Sequence, residues 1–209
     1  MKGLILKDLY MTVHYFRKFL FILILFLGLG FADGENLFMV FYPGLLATMI
    51  PVNLLAYDER SRWDIYCGTL PVNRDKVVSA KYLLELILLG VVYLLTIGVQ
   101  ALRMVMNREF VPENLLVLMS LVWMVYLIAG SVSLPFMFKM GVEKGRMAYY
   151  VMIGIICGSA AIAGQIFNTQ LQAQIPFGPV LGLGCILAAV VFAGSWYLSI
   201  VFYRKRELN

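Results

Sequence analysis

Few residues in this chain have the type and spacing to do chemistry. The single histidine, His14, lies in a helical pattern near the N-terminus, and the three cysteines, Cys67, Cys157 and Cys185, show neither a pairing pattern nor metal-ligand spacing. No disulfide framework and no metal site is expected. A phosphate-cradling loop needs Gly-x-x-x-x-Gly-Lys-Ser/Thr, and Gly141-Val-Glu-Lys-Gly145 imitates it poorly. There is no His-Glu-x-x-His, no Gly-x-Ser-x-Gly and no carboxylate pair inside an apolar stretch. The chain is therefore read as no enzyme, with no catalytic residue and no bound cofactor. Ion-coupled carriers use ionisable groups within the membrane. Glu85 lies about one turn inside one end of an apolar stretch and Gln100 near the other, with no charge between them, which argues against secondary transport.

The residues best suited to contact a partner lie in 58–81. Asp58, Glu59, Asp64 and Asp75 face Arg60, Arg62, Arg74, Lys76 and Lys81 in number, so the segment is nearly neutral. A loop that holds anionic lipid would be mainly basic. Mixed charge with Trp63, Ile65 and Tyr66 interspersed suits a protein-docking surface, since aromatic residues are enriched in interface cores. An ordinary solvated loop has the same composition, and both readings stay open. Pro71 interrupts the local structure, and Asn73 is placed to N-cap a helix that starts at Arg74 and runs on through Lys81.

These residues must be positioned by elements that live in lipid. Of 209 residues, 62% are hydrophobic and 14% charged, with a mean hydropathy of +0.85. Soluble domains average about 45–50% apolar and about 25% charged. Six apolar stretches, 19–31, 37–57, 82–102, 115–138, 147–167 and 175–202, read as transmembrane helices, the first being short. Lys and Arg set the orientation. Fifteen of them fall in the N-terminal segment, the second-to-third loop, the fourth-to-fifth loop and the tail. Arg103 and Arg108 alone fall on the other side, so both termini are expected in the cytoplasm. The start is read as a retained first span, not a cleaved signal peptide. The expected architecture is an all-α membrane protein, one domain over 1–209, with an interfacial helix in 1–18 and a cytoplasmic loop in 58–81.

Within 1–18, Leu6, Leu9, Tyr10, Val13 and Phe16 recur at helical spacing, opposite Lys2, Lys7, Asp8 and Thr12. This pattern fits an amphipathic helix in the membrane interface, as a plain anchor or as a mechanical elbow. Gly154, Gly158 and Ala161 in the fifth stretch form a small-residue face of the kind that lets helices approach closely, within the chain or against another chain. Pro43 and Pro51, Pro135, and Pro176 and Pro179 fall within or beside apolar stretches and can kink them, with Pro43-Gly44 the expected bend. The glutamine-rich stretch 165–179 could form a re-entrant or capping element.

Residues 68–83, GTLPVNRDKVVSAKYL, resemble a recurring element of the permeases of type-2 ABC exporters of Gram-positive bacteria, where it follows the second span. The opening, MKGLILKDLY, is similar to that family's first helix. Lys76 stands where the family often has an acid that completes a capping box. The resemblance implies a permease subunit in the cell membrane, paired with a second copy or paralogue and with two separate ATPase subunits that bind ATP and Mg. It implies that 1–18 is a connecting elbow and that 58–81 supplies a coupling helix. On that implication Asp58, Glu59, Arg60, Arg62, Trp63, Ile65, Tyr66, Leu70, Pro71, Asn73 and Arg74 contact the ATPase. Cargo would leave between the permease halves, past parts of spans one, two and five, which places Pro43, Asn53 and Gln165 on its pathway. Compact relatives resemble exporters of amphipathic or antimicrobial peptides, including the phenol-soluble modulin type. No nucleic acid is expected, and membrane lipid is the expected surround. The alternative is a non-transporting immunity or sensor protein that binds a peptide toxin.

Overall fold

A computed structural model describes residues 2–15, 17–32, 37–69, 73–108, 111–170 and 177–205, without the side chains of 15, 37, 64, 65, 68, 156, 157 and 159–180. Among the described residues the regular structure is helical throughout: α1 (Lys2–Tyr15), α2 (Arg17–Ala32), α3 (Leu37–Arg60), α4 (Trp63–Thr69), α5 (Arg74–Met106), α6 (Pro112–Met140), α7 (Val142–Gln170) and α8 (Phe177–Lys205). Among the described residues, four helices are long and apolar enough to cross a membrane: Phe38–Arg60, Arg74–Met106, Pro112–Met140 and Leu181–Lys205. Lys2–His14 and Arg17–Ala32 qualify only as a pair, bent by 72°. Alone, the 16 residues of α2 reach about 24 Å, short of about 30 Å of hydrocarbon. The C-terminal half of α7 lies largely among the side chains outside the description.

Helix α5 bears out the expected continuity from Arg74 into the third span. Its 33 residues extend about 50 Å, well beyond the hydrocarbon thickness. Asn73 holds the N-cap position with extended backbone (φ −69, ψ 140), but its side chain makes no capping hydrogen bond. The amide of Lys76 instead donates to the Asn73 carbonyl at 2.9 Å. Without an acid at position 76 to reach back, the reciprocal capping box has no second half.

The core is built around α6. Val122, Tyr126, Leu134 and Phe138 are buried against α2, α3, α5 and α8. Gly44 is required where α3 meets α6, because a Cβ there would overlap the ring of Tyr126. Pro135 lies inside α6 and cannot donate to the carbonyl of Ser131 one turn back. The hydroxyl of Ser195 on α8 supplies that missing donor at 2.5 Å. Because its proton is spent there, Ser195 accepts from the Tyr82 hydroxyl (2.8 Å), and Tyr82 in turn accepts from Ser199 (2.7 Å). One hydrogen-bond chain thus joins α5, α6 and α8. This is how a proline is tolerated in lipid, where water cannot serve the freed carbonyl.

Candidate functional site

The turn after α3 brings the three chain segments of the site together. Ser61 closes on the Tyr57 carbonyl, and Arg62 adopts a left-handed backbone (φ 53) that reverses the chain into α4. Beneath this turn lies a buried ion cluster. The Lys81 ammonium lies 2.6 Å from Asp58 Oδ2 and 2.8 Å from Asp8 Oδ2. The Lys7 ammonium lies 2.8 Å from Asp58 Oδ1 and 3.4 Å from Asp8 Oδ1. Asp8, Asp58 and Lys81 are 2%, 3% and 3% exposed, while Lys7 is partly open. Two acids and two bases make the cluster neutral, as burial demands. The Lys7 ammonium also lies 4.0 Å over the Trp63 ring, itself packed against Tyr66. Helices α1, α3, α4 and α5 are therefore joined through one charge cluster.

The faces of α1 follow from this cluster. Asp8 and Thr12 point inward, and Leu6 and Tyr10 stay 69% and 70% exposed. Leu4, Leu9 and Met11 pack partly buried against the bundle, so α1 rests on it through a mixed polar and apolar face, with Leu6, Tyr10 and Val13 turned out.

Two further ties hold the same end of the bundle. Glu59 Oε2 accepts the backbone N–H of Val142 at 3.2 Å, so a carboxylate from α3 caps the start of α7. Arg146 donates to Asn53 Oδ1 at 3.0 Å, one turn further along. At the start of α5, Asp75 takes a two-pronged ion pair from Arg204 of α8, and Arg74 donates to the Arg204 carbonyl. The Trp196 indole donates to Ser79 (3.1 Å) and its ring stacks on Tyr82. The N-terminal segment, the 58–81 segment, the α6–α7 turn and the tail therefore meet at one end.

The expected contact residues separate into two groups. Arg60, Arg62, Tyr66, Asn73 and Arg74 are exposed, Glu59 caps α7 and Trp63 is half-buried under Lys7. Asp58 is turned inward, and its charge is consumed by Lys7 and Lys81. Leu70, Pro71 and the Ile65 side chain lie outside the described residues. Among the described residues, nothing lies within 4 Å of a Cβ at Gly154 or Gly158. Pro43 is buried in α3, and Asn53 is tied to Arg146. The side chains of Ala161 and Gln165 lie outside the description. Sequence reasoning missed Lys7, Asp8 and Lys81 as a set. The available signal was the lone acid Asp8, set with Thr12 among apolar and basic neighbours. Glu85, one turn beyond Lys81, is fully buried, and neither carboxylate oxygen has a hydrogen-bond partner among the described residues. It occupies the space that a Cβ on Gly130 would take, 2.6 Å from Oε1.

The arrangement is electrostatic, and it ties the ends of α1, α3, α4 and α5 to one another. Residues 3–204 match the family model described as ABC-2 family transporter protein, and the chain belongs to that family. No curated protein and no solved structure matches it. The chain is accordingly a multi-pass membrane component of an ABC transport system, a permease that works with ABC ATPase subunits.

Proposed function

We propose that this ABC-2 family member is the membrane-spanning subunit of an ATP-driven exporter that moves amphipathic peptides or similar amphiphiles out of the cell. In this reading α2, α3, α5, α6, α7 and α8 are six spans, both termini are cytoplasmic and the membrane is the plasma membrane. Two separate ATPase subunits bind ATP and Mg, and a second permease copy or paralogue completes the pathway. Short helix α4 and the exposed residues Arg62, Tyr66 and Arg74 face the ATPase, while α1 serves as the elbow.

The observation that carries this reading is the cluster of Lys7, Asp8, Asp58 and Lys81 directly behind α4. A displacement of α4 reaches the elbow through Lys7, and α3 and α5 through Asp58 and Lys81. Buried ion pairs add little net stability compared with apolar packing, and their best-attested use is to fix register. A junction that must transmit a push without slipping has that need. The clamp of Arg204 on Asp75 carries the same motion to α8.

The test is to purify the tagged chain from its native membrane in mild detergent and assay ATP hydrolysis in the eluate. A stoichiometric phosphate-loop ATPase that is lost on replacing Arg62 and Tyr66 with Ala supports the reading. A chain that elutes without an ATPase or hydrolytic activity contradicts it.

A further inference from the structure

We propose that the groove between the end of α3 and the start of α7 binds the headgroup of an acidic phospholipid, with an acyl chain laid along α7. The groove encloses roughly 680 Å³ and is open on one side. It runs from Asn53 to Arg60 on α3, about 10 Å of helix, and faces Lys144 and Arg146 on α7. Arg60, Lys144 and Arg146 have no carboxylate partner among the described residues, and Arg146 spends one donor on Asn53. Two carboxylates also line the groove. Glu59 is engaged by the Val142 N–H, and Glu143 lies in the first turn of α7. The cations outnumber them, and the positive end of the 29-residue α7 dipole adds to the same field. A monoanionic phosphate fits this balance. A cationic headgroup does not.

The direction of helix α7 argues for a lipid over a free anion. Lys144, Met147, Val151 and Ile155 fall within about 80° of one another around the helix. Met147, Val151 and Ile155 are all exposed, and a Cβ at Gly154 or Gly158 meets nothing within 4 Å among the described residues. An apolar track therefore begins at the cationic groove and leads away from the turn. Such a track suits an amphiphile held by its head. The proposal rests on this end of the bundle lying at the membrane surface, and not on the direction of transport.

The test uses the purified full-length chain in neutral detergent, with phosphatidylglycerol and phosphatidylcholine at equal concentration, and counts retained lipid by native mass spectrometry. Each cation near a lipid surface contributes about fivefold in affinity. The expected result is one preferentially retained phosphatidylglycerol that millimolar inorganic phosphate does not displace. Retention should fall about 25-fold in R60Q/K144Q, return with R60K/K144R and persist in K205Q, whose exposed cation lies outside the groove. Equal retention of the two lipids overturns the proposal, as does full retention by R60Q/K144Q. Displacement by inorganic phosphate would make the groove a free-anion site and overturn the lipid assignment. Equal loss in K205Q would reduce the effect to bulk charge and overturn it as well.

Discussion

The ammonium of Lys7 lies 4.0 Å over the ring of Trp63, which places helix α1 in direct contact with the short helix α4. The same ammonium reaches Asp58 at 2.8 Å, so a single side chain links α1, α3 and α4. Cation–π contacts of this kind contribute about 0.5–2 kcal/mol depending on desolvation. Trp63→Leu should keep the fold but loosen α1, read as faster amide exchange in 2–15. Unchanged exchange there would remove Trp63 from the junction.

Asp58 and Lys81 form the buried centre of the cluster, at 2.6 Å. Removing one partner of such a pair costs about 3–5 kcal/mol, because the other charge stays buried. Asp58→Ala is therefore expected to lower the unfolding midpoint in detergent markedly. The double replacement with Lys81→Ala leaves Lys7 beside Asp8, a neutral remnant at 3.4 Å. Its cost should fall below the sum of the single costs by at least about 1 kcal/mol. Additive losses would show that the two side chains do not act as a pair.

Ser195→Ala should cost about 1–3 kcal/mol, since the Ser131 carbonyl and the Tyr82 hydroxyl both lose a buried partner. In a Pro135→Ala background the backbone N–H at 135 is restored, and the same serine replacement should cost less. Equal cost in both backgrounds would mean that Ser195 does not compensate for Pro135.

Glycines in α3 and α7 should behave in opposite ways. Gly44→Ala drives a methyl into the Tyr126 ring and should destabilise by about 1–3 kcal/mol. A Cβ at Gly154 meets no described atom within 4 Å, so Gly154→Leu should leave the chain's thermal stability unchanged. If Gly154 instead faces a second permease copy, the leucine lowers the yield of the assembled transporter. Full assembly of Gly154→Leu would assign that face to lipid.

Much of the helical framework was legible because lipid imposes a coarse rule: long apolar runs must be helical, and charges gather at their ends. The junction of Asn73, Arg74 and α5 was readable for a local reason, a breaker followed by an uninterrupted helical pattern. The polar face of α1 was visible in Lys7, Asp8 and Thr12, but its destination was not. Asp8 meets Lys81, and Lys7 meets Asp58, through pairings far apart in sequence that only the packing of α1 across α3 and α5 creates. For the same reason Asp58 read as a surface acid like Glu59, its neighbour, although one turns inward and the other caps α7. Ser195 carried no sequence signal because its role exists only opposite the carbonyl freed by Pro135.

Lys7→Gln offers the most direct test of the central claim, that the junction behind α4 couples ATP hydrolysis to movement of the spans. Lys7 is partly open to solvent, so its replacement removes the link from α1 to Asp58 and Trp63 while leaving the Lys81 pairs in place. The measurement is ATP hydrolysis and cargo export by the purified, reconstituted complex, compared at equal complex yield. The account predicts a wild-type yield with continued ATP hydrolysis and export reduced at least about tenfold, which corresponds to about 1.4 kcal/mol of lost coupling. Wild-type export by Lys7→Gln would contradict it.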